Sequence, residues 1–179
     1  MSENQIKFFQ LLQEMHYKIM CFSHQCTLRQ NIFRENGYSE IIENIFEDLE
    51  KELSLELTEI SKKFFVSKRA SMVLGAIIHL YVKHEGVRTN FITFGDIERF
   101  FYMDVELSLL IKLRESIFEL QEKNIIEIND VEFYLVRVFN KSDRRENDYY
   151  MLPAKPSFVP FANKKFELSP STINKLNNL

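Results

Sequence analysis

Tryptophan is absent, and glycine, proline and cysteine are scarce: four, four and two residues in a chain of 179. Each shortage excludes something. Glycines at positions 37, 75, 86 and 95 are too few and too scattered to form the Gly-rich loops whose backbone N–H groups cradle phosphates. Cys21 and Cys26 do not make a disulfide framework, and a chain this long buries roughly two thirds of its extended surface without staples. All four prolines (Pro153, Pro156, Pro160, Pro170) fall in the last 27 residues, so the first 152 are free to form regular structure broken only by glycine and polar turns. No run approaches the roughly 18 apolar residues of a membrane span. Met1 to Gln5 is polar, with no basic stretch leading into an apolar one, so a reducing, cytoplasmic setting is expected. Gly-x-Ser-x-Gly, Ser-x-x-Lys and the Walker residues are missing as well, which makes an enzyme the least expected class.

What is abundant is phenylalanine, at 17 residues, in a chain that is 45% hydrophobic and 27% charged with a net charge of −3. The charge drifts. Residues 1–66 carry 7 basic and 11 acidic groups, residues 67–128 carry 8 and 9, and residues 129–179 carry 8 and 6. No third is a polycation, so a face that releases counterions from phosphate has to be assembled by folding.

Apolar spacings of three and four predict helices. Ile6, Phe9, Leu12, Met15, Ile19 and Phe22 mark a first helix over about Asn4–Phe22, and a second is expected from Cys26 to Glu35, closing at Asn36-Gly37. Ser39 caps a third, whose stripe runs Ile42, Ile45, Phe46, Leu49, Leu53, Leu57, Ile60 and Phe64. The alternation of Leu53, Leu55 and Leu57 also fits a short strand. Residues 71–83 then read as a helix that buries Val73, Leu74, Ile77, Ile78 and Tyr81, with Gly75 allowing another helix close and Glu85-Gly86 ending it. Thr93 caps a short helix through Phe101, and Asp104 caps a longer one to Lys123-Asn124. Strands are expected at Ile125–Ile128, at Val131–Phe139 after an Asn129-Asp130 turn, and at Asp148–Leu152 after the polar loop Asn140–Asn147.

Helix, short helix, longer helix and then a strand hairpin with a charged tip is the order of a winged helix-turn-helix. The passage Glu119-Leu120-Gln121-Glu122-Lys123-Asn124-Ile125-Ile126-Glu127 resembles the way that family leaves its third helix for the wing. Lys165-Phe166-Glu167-Leu168, followed by Ser169-Pro170-Ser171-Thr172-Ile173, is similar to the strand and helix that follow the wing in regions N-terminal to bacterial AAA+ ATPase motors. The expected fold is mainly α with a small β-hairpin wing (α+β). Residues 1–66 form an N-terminal helical extension, 67–152 the winged helix, and 153–179 an extended connector with a short strand and a helix start.

Two uses follow from the resemblance. In the first, the chain is a non-catalytic interaction or regulatory module, binding a protein partner or itself through Phe8, Phe9, Phe22 and Phe33 on the N-terminal helices. The helix from Asp104 to Lys123 has five acidic and three basic residues, a balance that phosphates on both sides of a major groove would repel. In the alternative, a dimeric regulator binds duplex DNA, with Lys141, Arg144 and Arg145 at the wing tip on the backbone and Ser108, Lys112 and Arg114 approaching the groove. His16, Cys21, His24 and Cys26 include soft metal ligands but lack the short Cys-x-x-Cys or His-x-x-x-His hooks of a structural zinc site. No metal, cofactor or small-molecule substrate is expected, and His79 is expected to pack in the interior.

Overall fold

A computed structural model describes residues 1–33, 46–84, 92–101, 106–130, 133–138, 148–153 and 164–179. The protein is mainly helical with a small three-stranded antiparallel sheet, an α+β fold that is mostly α. The helices are α1 (Glu3–Phe33), α2 (described over residues 46–52), α3 (Ser54–Phe64), α4 (Lys68–His84), α5 (Phe94–Phe101), α6 (Glu106–Glu122) and α7 (Pro170–Asn177). The strands are β1 (Ile92–Thr93), β2 (Ile126–Asp130), β3 (Phe133–Val138), β4 (Asp148–Pro153) and β5 (Lys164–Leu168). The expected features at Asn36-Gly37, Ser39, Glu85-Gly86, Asp104 and Asn140–Asn147 lie outside the described residues.

Two expected helices merge into one. Nothing between Phe22 and Cys26 is a proline or a glycine, so α1 continues unbroken for 31 residues. Its buried stripe is also rotated from the expected one. Phe8, Leu12, Met15 and Ile19 are buried, while Ile6 is exposed and Phe9 is only partly covered. The spacing of four, three and four is a regular helix face, and its direction is set by Phe64, whose ring lies 6.3 Å from Phe8. The stripe over α2 and α3 holds where it is described: Phe46, Leu49, Leu53, Leu57, Ile60 and Phe64 are all buried, and Ile42 and Ile45 lie outside the described residues. Residues 53–57 are helical, not a strand, with a break in the turn at Leu53.

α4 is the central helix, with Val73, Leu74, Ile77 and Ile78 fully buried, while Tyr81, expected in the same set, is only partly buried. It meets α3 at 87°, and α1 crosses it at Gly75. A Cβ built there would lie 2.5 Å from Met15 Cε and 3.0 Å from Ile60 Cδ1, so the missing side chain is what permits three helices to converge. α5 opens with a reciprocal cap, in which the Thr93 N–H and hydroxyl each donate to Asp96 Oδ2 at 2.9 Å and the Asp96 N–H donates back to Thr93 Oγ1. α6 stops in a left-handed residue, Asn124, with the Ile125 N–H donating to Leu120 O and the Asn124 N–H to Gln121 O, a pairing that satisfies the last carbonyls of the helix.

The sheet departs from expectation. Asn129 and Asp130 are not a turn: they extend β2, whose partner is β5, with Ile126 opposite Leu168 and Asp130 opposite Lys164. β5 also pairs with β1, giving the order β1-β5-β2, and β3 pairs separately with β4. Phe166 and Leu168 supply the reason. Both are buried on the inward period of β5, so this strand is the one that closes the core. Ser169 then caps α7 with Pro170 in its first turn. The Ser169 N–H and the Thr172 hydroxyl both donate to Ile125 O, and Gln5 Nε2 donates to the carbonyls of Leu176 and Asn177. The short strand and helix start expected here are thus present and bonded to both β2 and α1, while residues 154–163 of the expected connector lie outside the described residues. One cluster of buried side chains runs from Phe8 to Leu176. Among the described residues, no single helix is long and apolar enough to cross a membrane.

Candidate functional site

α6 presents two faces whose origin is plain in the sequence. Leu113, Ser116, Ile117 and Leu120, at spacings of three, one and three, turn inward and are buried. Arg114, Glu115, Phe118, Gln121 and Glu122 turn out. Phe118 is one of the few large apolar side chains left in solvent, and the Arg114 guanidinium stacks over its ring at 5.4 Å. The outward face is thus an aromatic ring with an arginine laid on it and two carboxylates beside it.

Glu119, between these faces, holds α6 to the start of α4. Its carboxylate accepts from the Ser67 N–H at 2.8 Å and the Ser67 hydroxyl at 2.7 Å, and Lys123 Nζ lies 3.2 Å away. Partial burial pushes the Glu119 carboxyl up, but the bonds from Ser67 and Lys123 outweigh it and hold the group below its usual value of 4.5.

Lys123 also donates to Phe65 O at 2.6 Å, which brings the end of α6 against the end of α3. Phe65 takes left-handed φ and ψ of 57° and 46° and its N–H closes α3 on Ser61 O. Its side chain is 78% exposed. Lys175 of α7 lies over both rings here, 5.1 Å from Phe64 and 5.3 Å from Phe65, and donates to Lys63 O. The ends of three helices meet at this point.

Two further clusters sit deeper. His16 of α1 stacks on Phe100 of α5 at 4.5 Å and lies 4.7 Å from the ring of His79 on α4. His79 is packed, as expected, with the Phe100 ring edge-on at 5.5 Å. Burial and then the charge of Lys83 lower the His16 pKa from 6.5, so the imidazole is held neutral. Between α1 and α3, Lys18 pairs with the buried Glu56 at 2.5 Å. The bond to Glu56 raises the Lys18 pKa despite its own burial. Glu56 Oε2 has no protein partner, so part of the cost of burying this carboxylate is left uncompensated.

The sequence-derived candidates distribute unevenly over this geometry. Phe8 is a correction: as an interface anchor it is unavailable, being 3% exposed in the core beneath Lys63, whose ammonium is 5.7 Å from the ring. Phe9 and Phe22 are partly buried and packed on that core. Phe33 is the last residue of α1, and its side chain lies outside the described residues. Arg114 is exposed and engaged with Phe118. Ser108 and Lys112 belong to α6, their side chains outside the described set, as are Lys141, Arg144 and Arg145 altogether. His16 is taken up by His79 and Phe100, and Cys21 is exposed one turn from Tyr17; His24 and Cys26 have undescribed side chains. Among the described residues no group of three His, Cys, Asp or Glu side chains is placed to hold a metal ion.

Sequence reasoning missed Phe65 and Phe118 as exposed aromatics. For Phe65 a signal existed: a helix stripe that buries Ile60 and Phe64 leaves the next residue on the other side, and no glycine follows to end the helix. Comparison with protein-family models, with curated proteins and with solved structures finds no match to this chain.

Proposed function

We propose that this chain is a non-catalytic winged-helix module that binds another protein and does not read duplex DNA, placed before an AAA+ motor or a comparable machine. The order α4, β1, α5, α6, β2 and then β5, with strands arranged β1-β5-β2, supports the winged-helix assignment. The outward face of α6 carries the functional reading. This is the helix that a DNA-binding winged helix lays in the major groove. Among its described side chains, from Leu113 onward, the exposed ones are Arg114, Glu115, Phe118, Gln121 and Glu122, with Arg114 engaged on the ring. An aromatic ring with an arginine beside it suits a protein contact, while two carboxylates suit phosphate badly.

Fluorescence anisotropy of a labelled random duplex, titrated over salt, tests this. The expected result is no binding even at low salt, for the natural chain and for Arg144→Ala/Arg145→Ala alike. Micromolar binding that falls steeply with salt and collapses in the double variant would instead establish a DNA-binding regulator.

A further inference from the structure

Phe65 is an anomaly on two counts. The residue that ends a helix in the left-handed region is usually glycine, because a Cβ crowds the backbone there. Here it is a phenylalanine with φ 57°, and its ring gains nothing by burial, being 78% exposed. A bulky side chain that costs local backbone energy and returns little packing is accounted for by what it touches outside the fold.

Its surroundings state what that is. Lys175 lies over the ring at 5.3 Å and Lys123 reaches the residue's own carbonyl. Lys63 precedes it on the last turn of α3, with Lys62 beside it and Lys68 opening α4. Lys123 and Lys175 each give one proton to a terminal carbonyl of α3, which complements the negative end of that helix. An ammonium has three donors, so neither cation is used up. Glu119 contacts Lys123, and its two oxygens are engaged by Ser67 and Lys123. Capping α3 explains the lysines. It does not require the exposed ring.

We propose that the patch formed by Phe65, Lys63, Lys123 and Lys175, where the ends of α3, α6 and α7 meet, docks an acidic segment of a partner protein. An apolar side chain of that segment packs on Phe65 while its carboxylates pair with the lysines. The inference rests on the protein-binding reading above and names the partner's chemistry. An acidic polypeptide fits better than a nucleic acid because Glu119 lies 3.2 Å from Lys123 within the patch, and its carboxylate opposes a phosphate backbone more strongly than a sparsely charged peptide.

The test uses the full chain, ¹⁵N-labelled, and a fluorescent peptide alternating Glu with Phe and Leu. A peptide with Lys in place of Glu and a single-stranded oligothymidylate serve as the other probes. The acidic peptide is expected to bind in a salt-sensitive way, moving the amide signals of Phe65, Lys68, Lys123 and Lys175. Phe65→Gly is expected to weaken binding about tenfold while raising the melting temperature, since glycine takes this backbone conformation freely. Lys123→Gln/Lys175→Gln is expected to weaken it similarly, with a native spectrum showing that the fold persists. Failure of the acidic peptide to bind, or equal binding by Phe65→Gly, overturns the proposal. So does preference for the oligothymidylate at the same residues, or a concentration-dependent self-association that Phe65→Gly abolishes. Failure of the patch leaves the duplex result untouched, so the two readings fail separately.

Discussion

His16 shows how one side chain acquires a pH dependence from its neighbours. In water its imidazole would be half charged near pH 6.5. Between Phe100 and His79, with Lys83 nearby, the charged form is penalised and the folded value falls below that. An unfolded chain therefore binds the proton more readily than the folded one. Stability is complete above about pH 6.5 and declines as pH falls through the folded value. Glu119 has the same sign in a lower window, because its folded value lies below 4.5 and its contribution fades only as pH drops through it. Thermal melts across this range should separate the two. His16→Gln is expected to flatten the decline that begins near pH 6.5 and leave the acid limb, and Glu119→Gln the reverse. Profiles parallel to that of the natural chain would remove both assignments.

The crossing of α1, α3 and α4 at Gly75 leaves little clearance. Glycine inside a helix costs about 0.5–1 kcal/mol relative to alanine, so Gly75→Ala gains that amount in propensity. It also drives a methyl group into Met15 Cε and Ile60 Cδ1, for which overpacking costs about 1–3 kcal/mol. The tip of Met15 is flexible, so the lower part of that range applies. A net loss of at most about 0.5 kcal/mol is expected in urea denaturation. Combining it with Met15→Leu, which withdraws the offending tip, should cost less than the sum of the two single changes. Strict additivity would mean that α1 does not approach α4 at this residue.

The molecule as a whole is closed by its C-terminal segment. Were the expected strand and helix at residues 164–179 merely appended to the winged helix, their loss would leave a self-sufficient domain. Instead β5 lies between β1 and β2, and Phe166 is fully buried opposite Ile92 and Ile128 with its ring 6.4 Å from Phe94. Phe166→Ala is expected to cost about 3–5 kcal/mol. A chain ending before Lys164 is expected to lose cooperative melting by circular dichroism, since β1 and β2 would lose their ladder and the core would open. A sharp transition in that shortened chain would mean that β5 and α7 are appended to the core and do not close it.

Several of these features were legible in the residues alone. The stripe from Phe46 to Phe64, the burial of Val73, Leu74, Ile77 and Ile78 on α4, and the Thr93 and Ser169 caps rest on interactions within a few positions of each other, where helical period and capping chemistry act. Strand pairing was not legible. Asn129-Asp130 has good turn chemistry, and nothing nearby in sequence tells β2 that a better partner lies some 35 residues on. Only the competition among strands for the core, won by Phe166 and Leu168, decides that. The same holds for the surface. Periodicity located the phenylalanines on helices, but which of them meet solvent depends on how three helices rotate against one another. Phe8 went inward against Phe64, and Phe65, one residue beyond the stripe, was left outside. Composition and short-range pattern determined the helices and their caps, because those energies are local. Tertiary structure decided the sheet order and the exposed rings, because burial is a property of the assembled core.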